Sequence, residues 1–240
     1  MKSKVEWFLI IIMLGVVSLS VVLAAPSGPT TVSNLGSSRY STSSAANVSA
    51  VAGNVTELNF AANTITQTWQ GYFGNITGTI VLGNSNNQSM YNWNISSPSG
   101  EVYATRASAV PTWASVVCAT AAQAVTEDTT LGVNATVDQD AVNKTFLNTT
   151  SFNTFYVGNI NINTSQNCRA VNLYNGSAAP SSSFQEVLLH DGTSMIYTAL
   201  ITQDANGFDN RTHDFEMLVG ENGHSGDVTT TPYYFYLELQ

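Results

Sequence analysis

Ionic side chains are scarce in this chain of 240 residues: Asp, Glu, Lys and Arg make up only 10% of it, against about 25% in an ordinary soluble protein. Basic residues are the rarest, with seven Lys and Arg against sixteen Asp and Glu and a net charge of −9. Phosphate binding needs a basic surface, so nucleic acid is excluded as a partner. Cysteine occurs twice, at Cys118 and Cys168, and without a Cys-x-x-Cys spacing the sequence gives no support to a zinc ribbon or a dithiol redox site. The three histidines, His190, His213 and His224, fall in no His-Glu-x-x-His pattern. A Gly-x-Ser-x-Gly elbow and a phosphate-cradling glycine loop are also missing, which argues against the common hydrolase and nucleotide chemistries. Asp214, Glu216 and Glu221 could supply the paired carboxylates of a glycoside hydrolase, but any acidic surface offers such pairs. Catalysis is therefore not expected.

What replaces charge is amide and hydroxyl: Asn (24), Ser (26) and Thr (28) fill 78 positions. Eleven asparagines stand in Asn-x-Ser/Thr: Asn47, Asn54, Asn75, Asn87, Asn94, Asn134, Asn143, Asn148, Asn163, Asn175 and Asn210. Chance at this composition gives about 5, so the excess points to N-linked glycans on an exported protein. Asn75 and Asn94 fall in strand patterns and are expected to be shielded, whereas Asn87, Asn143 and Asn148 fall in turns.

Residues 1–24 form a leader, read as a signal peptide or an N-terminal membrane anchor. Lys2 and Lys4 precede an apolar run from Trp7 to Ala25, which is interrupted by Gly15, Ser18 and Ser20. Positive charge ahead of such a run holds the N-terminus inside and sends the rest outward. Nineteen residues is at the lower limit of a bilayer span, and cleavage after Ala24 fits the small-residue rule. Either outcome places the body outside the cell. In that compartment an even cysteine count reads as a Cys118–Cys168 disulfide.

Residues 25–50 are rich in Ser, Thr, Gly and Pro and read as a flexible stalk. From Val51 to Gln240 apolar residues alternate in short runs divided by Gly, Asn, Ser and Asp turns. That pattern predicts an all-β body: an antiparallel β-sandwich, Ig-like or jelly-roll-like, with one or two short helices and a disulfide-closed insert over 118–168. One hairpin is expected from Ile76, Ile80 and Leu82 around Gly83–Gln88 to Tyr91, Trp93 and Ile95, with Trp93 in the core. A second runs from Phe184 to His190 and back through Ser194–Gln203, with Asp191-Gly192 as a type I′ turn. Further strands are expected near 53–60, 64–72, 101–106, 154–162 and 213–219, and helices at Trp113–Val125 and Asp138–Phe146. The closing Tyr233–Leu239 strand is apolar on both faces and is expected inside a sheet, away from its edge.

Two binding features remain. Asp204, Asn206 and Asp209 space oxygen atoms much as calcium loops do, but the EF-hand glycine position is occupied by Asp209, and Asn206-Gly207 reads equally well as a turn. No other cofactor is indicated. Trp69, beside Gln70-Gly71-Tyr72, is the aromatic residue expected to contact a ligand such as a glycan.

The string Trp69-Gln70-Gly71-Tyr72-Phe73-Gly74-Asn75-Ile76-Thr77-Gly78-Thr79-Ile80-Val81-Leu82 resembles an uncharacterised family of archaeal exported, Asn/Thr-rich cell-surface proteins. Leu218-Val219-Gly220-Glu221-Asn222 and the closing Tyr233–Leu239 strand share the likeness. It implies an archaeal envelope setting and no activity.

The function expected from the sequence is a structural or interaction role at the cell surface: display, an S-layer companion or a filament subunit. The partners are envelope proteins or further copies of the chain, with membrane contact through the leader if it is retained. The alternatives are a glycan- or calcium-binding module and a secreted hydrolase.

Overall fold

The computed structural model describes residues 25–176, 179–222 and 230–240. The leader and His224 lie outside the described residues. Within them the chain is all-β and antiparallel, with two short helices. Strands β1 (Trp69–Gly74), β2 (Gly78–Gly83), β3 (Ser89–Ile95), β4 (Gly100–Thr105) and β5 (Val117–Cys118) come first. Helices α1 (Ala121–Thr130) and α2 (Val142–Thr145) follow. Next come β6 (Phe155–Val157), β7 (Ile160–Ile162), β8 (Arg169–Tyr174), β9 (Pro180–His190) and β10 (Met195–Leu200). The chain closes with β11 (Ala205–Asn206), β12 (Thr212–His213), β13 (Phe215–Gly220) and β14 (Tyr234–Leu239).

The centre is a six-stranded sheet in the order β14-β4-β10-β9-β5, with β8 also paired to β9. Its middle strands carry apolar side chains on both faces, so each face needs its own cover. Val102, Ala104, Leu188, Tyr197 and Ala199 lie in one buried cluster with Met217 and Val219 of β13, Ala124 of α1 and Val142 of α2. Tyr103, Val187, Leu189, Ile196 and Tyr236 lie in the other, under Phe155, Val157 and Ile162 of the β6–β7 hairpin. β1 pairs with β13 along its full length, from Trp69 opposite Gly220 to Gly74 opposite Phe215.

Local signals explain the helices. Thr120 and Gln123 form a capping box that starts α1: the threonine hydroxyl accepts from the Gln123 amide, and Gln123 accepts from the Thr120 amide. This box moves the helix expected at Trp113–Val125 to Ala121–Thr130. Trp113–Ser115 makes a single 3-10 turn, and Val117–Cys118 is drawn into the sheet beside His190 and Leu189 of β9. The one-turn helix α2 falls within the span expected for it, and Asp128 accepts the amides of Val142 (2.6 Å) and Asn143 (3.1 Å) at its start. Cys118 and Cys168 are joined as a disulfide, with 4.8 Å between α-carbons.

Several expectations need correction. Residues 51–67 carry no strand and are exposed but for a half-buried Ile65, so the first strand begins at Trp69. The expected 154–162 strand is a hairpin folded at Gly158-Asn159. The Asp191-Gly192 connection is a four-residue loop instead of a two-residue type I′ turn, because Met195 pairs with His190. Asp191 organises it by accepting the amides of Thr193 (2.9 Å) and Ser194 (2.8 Å), while Gly192 supplies a φ of +97°.

β14 buries Tyr236 and Glu238 on one face and half-buries Phe235, Leu237 and Leu239 on the other, yet instead of lying inside the sheet it stands at its end, with β4 as its only strand neighbour among the described residues. Its outer edge receives one antiparallel bridge, in which the amides of Ser27 and Leu237 donate to each other's carbonyls at 3.0 and 2.8 Å. The segment read as a stalk therefore touches the body at its very start. From residue 28 to 67 it runs exposed, apart from half-buried Pro29 and Ile65.

Candidate interaction surface

The β2–β3 hairpin is where the sequence and its surroundings disagree most. Its tip is set by Asn84, whose side-chain oxygen accepts the amides of Asn86 and Gln88 (3.0 and 3.1 Å), and by Asn87 in the left-handed region. Register pairs Leu82 with Tyr91, Ile80 with Trp93 and Gly78 with Ile95. Side chains alternate across a strand, so Ile80, Leu82, Tyr91 and Trp93 share one face, with Val81, Asn92, Thr79 and Asn94 on the reverse.

That apolar face is uncovered: Ile80 is 58% exposed, Leu82 51%, Tyr91 60% and Trp93 48%. Tyr91 and Trp93 meet edge to face at 4.8 Å, so the aromatic pair is held as a unit. Trp93 is therefore not the core residue expected of it. Among the described residues β2 and β3 hydrogen-bond only to each other as strands, which leaves both outer edges unpaired. At the base, Gly78 lies against the Leu239 side chain of β14, and a β-carbon there would force that side chain to shift. No charged residue occurs between Leu58 and Gly100, a run of 43 positions.

The other expected sites take structural roles. Trp69 is half-buried, donates its indole N–H to the Asp140 carbonyl (2.6 Å) and packs against Phe146 and Tyr197. It packs, partly buried, against the core. Asp209 is engaged by Arg211 (Nε at 2.6 Å) and by His213 (2.9 Å). Slight desolvation works against ionisation there, but the Arg211 amide, His213 and the Arg211 guanidinium outweigh it and hold the Asp209 carboxyl down at about 2. Asp204 and Asn206 are exposed, and among the described residues no three His, Cys, Asp or Glu side chains converge to hold a metal ion. Of the carboxylates considered for hydrolysis, Asp214 is buried and accepts the amides of Ile76 (2.7 Å) and Asp204 (2.9 Å). Glu216 accepts the Phe208 amide (2.9 Å), and Glu221 accepts the Thr231 hydroxyl (3.0 Å). His190 accepts the Gly192 amide at the end of β9.

A cleft of about 360 Å³ opens between the end of β4, α1 and the β9–β10 turn, lined by Arg106, Gln123, Glu127 and His190. Its charges are internally matched: Arg106 binds Glu127 through two nitrogens (3.1 and 2.5 Å), and Glu127 also accepts from the Tyr197 hydroxyl (3.1 Å).

The sequons divide by environment. Asn47, Asn54, Asn75, Asn87, Asn94, Asn134, Asn148 and Asn210 are exposed, including Asn75 and Asn94, which the strand pattern suggested were shielded. Asn94 lies on the reverse of the hairpin and Asn87 at its tip, so neither intrudes on the apolar face. Asn143 is half-buried with a buried side-chain oxygen, and its carbonyl accepts from Arg169. Asn163 caps the 3-10 turn Thr164–Gln166 through its side chain. Asn175 is half-buried.

Sequence reasoning missed a set of buried acids. Glu101 and Glu238 stand directly opposite each other on β4 and β14, both buried. Burial first, and then the neighbouring Glu238, push the Glu101 carboxyl up to about 8. Glu238 accepts the Gly158 amide (3.0 Å) and the Tyr103 hydroxyl (3.2 Å), which temper a rise also caused by burial. Glu186 is fully buried; one oxygen accepts the Leu218 amide (2.8 Å), the other has no hydrogen-bond partner among the described residues, and burial raises its pKa well above the ordinary range. The available signal was a lone Glu inside each of three apolar runs.

Among the described residues no helix is long and apolar enough to cross a membrane. Comparison with protein-family models, curated proteins and solved structures finds no match to this chain.

Proposed function

We propose that this is an exported, N-glycosylated protein of a cell envelope, in keeping with the archaeal family it resembles, that works by contacting neighbours and not by turning over a substrate. The observation that carries the reading is the uncovered apolar face of the β2–β3 hairpin. Ile80, Leu82, Tyr91 and Trp93 stand in solvent together on one face of the hairpin. Contiguous exposed apolar patches on soluble proteins mark contact sites, and aromatic residues supply most of the energy when such sites close. Glycans at Asn87 and Asn94 would solvate the tip and reverse of the hairpin and leave this face as the contact surface. The leader carries the body outward and, where retained, holds it at the membrane.

The test is retention at the cell surface. Chain carrying Tyr91→Ser and Trp93→Ser, expressed in its own cells, should dissociate from isolated envelopes under conditions that retain the wild type. Equal retention of the two would refute the hairpin as the contact surface.

A further inference from the structure

The occupant of the hairpin face can be narrowed by what the face lacks. A bilayer is a poor host, since a two-stranded sheet in hydrocarbon would leave the backbone groups of both outer edges unsatisfied, and open edges do not occur there. An ionic partner is also disfavoured, because the 43 positions from Leu58 to Gly100 hold no charge to pair with. The face matches a copy of itself. Two chains of net charge −9 repel, and they approach at least electrostatic cost through an exposed, charge-free element.

The chemistry within the face is complementary under a two-fold axis. One strand carries the aliphatic residues Ile80 and Leu82, and the other carries the aromatic pair Tyr91 and Trp93. With the two hairpins face to face and their tips pointing in opposite directions, aliphatic rows meet and the four aromatic rings form one cluster. The bodies then lie at opposite ends of the contact. At their observed exposures these four residues present roughly 500 Å² per copy, so full burial on both copies would reach about 1,000 Å², the threshold of a specific pairing. Stacking also gives a lone two-stranded hairpin, marginal by itself, the second layer that such sheets require.

We propose that two copies of this chain pair by stacking the Ile80, Leu82, Tyr91 and Trp93 faces of their β2–β3 hairpins. This rests on the reading of that face as the contact surface and names its partner. The hairpin's reverse, with Asn94, faces away from the partner and accepts a glycan without disturbing the pair.

The experiment is sedimentation equilibrium on the whole chain isolated with its glycans, comparing Ile80→Glu, which charges the apolar face, with Asn92→Glu, which charges the reverse. The wild type and Asn92→Glu should dimerise reversibly. Ile80→Glu should weaken the dimer by about 100-fold or more, as loss of a hot-spot contact does, with the melting temperature of the diluted, monomeric chain unchanged. Wild type that stays monomeric at high concentration, or a dimer equally weakened by both variants, overturns the pairing. If the chain is monomeric and the Tyr91→Ser, Trp93→Ser variant still leaves the envelope, the surface reading stands with a different protein as partner. If that monomer binds neutral phosphatidylcholine vesicles through the same residues, the partner is the bilayer. Monomeric chain whose variant is retained as well as wild type removes both readings.

Discussion

Raising the pH from 4.5 to 8.5 should destabilise this protein, because its interior holds carboxyl groups that must stay protonated. Glu101 and Glu238 face each other across β4 and β14, with Tyr103 and Gly158 as their polar company. Glu238 receives the Gly158 amide and the Tyr103 hydroxyl, so it ionises first; Glu101 then keeps its proton up to about 8. The unfolded chain releases that proton near 4.5. A group raised on folding contributes stability that is complete below the unfolded value and is lost as pH climbs through the folded one. The gap from 4.5 to about 8 corresponds to roughly 5 kcal/mol as an upper limit. Water penetration lowers this, and a loss of about 2–4 kcal/mol is expected. Glu186 and Glu216, both raised chiefly by burial, act in the same direction. Asp209, held at about 2, has the opposite sign but acts only below pH 4. Urea unfolding with the disulfide intact, followed by circular dichroism at half-unit pH intervals, measures the loss. Glu101→Gln, which keeps the shape and removes the titration, should flatten most of the curve. Wild-type stability that is level or rising over this range would refute the argument, as would a Glu101→Gln protein that retains the full loss.

Glycopeptide mass spectrometry should find Asn87 and Asn148 occupied and Asn143 largely bare, since the first two are exposed and the third holds a buried side-chain oxygen. Replacing both cysteines with alanine opens a link across 50 residues of separation and should lower the unfolding free energy by about 2–4 kcal/mol, measured by the same urea titration. Asp214→Ala strips the amides of Ile76 and Asp204 of their acceptor and should cost about 2–4 kcal/mol; a change below about 0.5 kcal/mol by this assay would show that these hydrogen bonds do not hold the fold. Calcium at millimolar levels should leave the melting temperature unmoved, because Asp209 is already engaged by Arg211 and His213.

Period-two alternation and turn residues made much of the strand content legible. The β2–β3 hairpin was readable from Gly83–Gln88, and β4, β9, β10 and β13 from their apolar runs. Alternation reports which side chains share a face, however, and is silent on what covers that face. Trp93 has the pattern of a core residue and stands in solvent because no second layer reaches β2 and β3 within the described chain. Apolar side chains on both faces likewise told of two covering layers over β14, but its place at the sheet's end depends on the number of hydrogen-bonded neighbours. The Thr120-x-x-Gln123 box was present in the sequence and marks where α1 starts better than the apolar spacing does. The Glu101–Glu238 pairing was not readable, since it requires the register of strands more than 130 positions apart.

The bridge between Ser27 and Leu237 gives the exposed run from 28 to 67 the form of a closed handle, fixed to the body at both ends. Its length therefore adds no distance between Ser27 and the body. One proteolytic cut between Tyr40 and Asn63 would leave residues 26–40 held to the remainder by the two Ser27–Leu237 hydrogen bonds, the burial of Pro26 and the Asn63–Tyr40 side-chain bond (3.3 Å). Such a cut would open the handle without breaking any strand from β1 to β14.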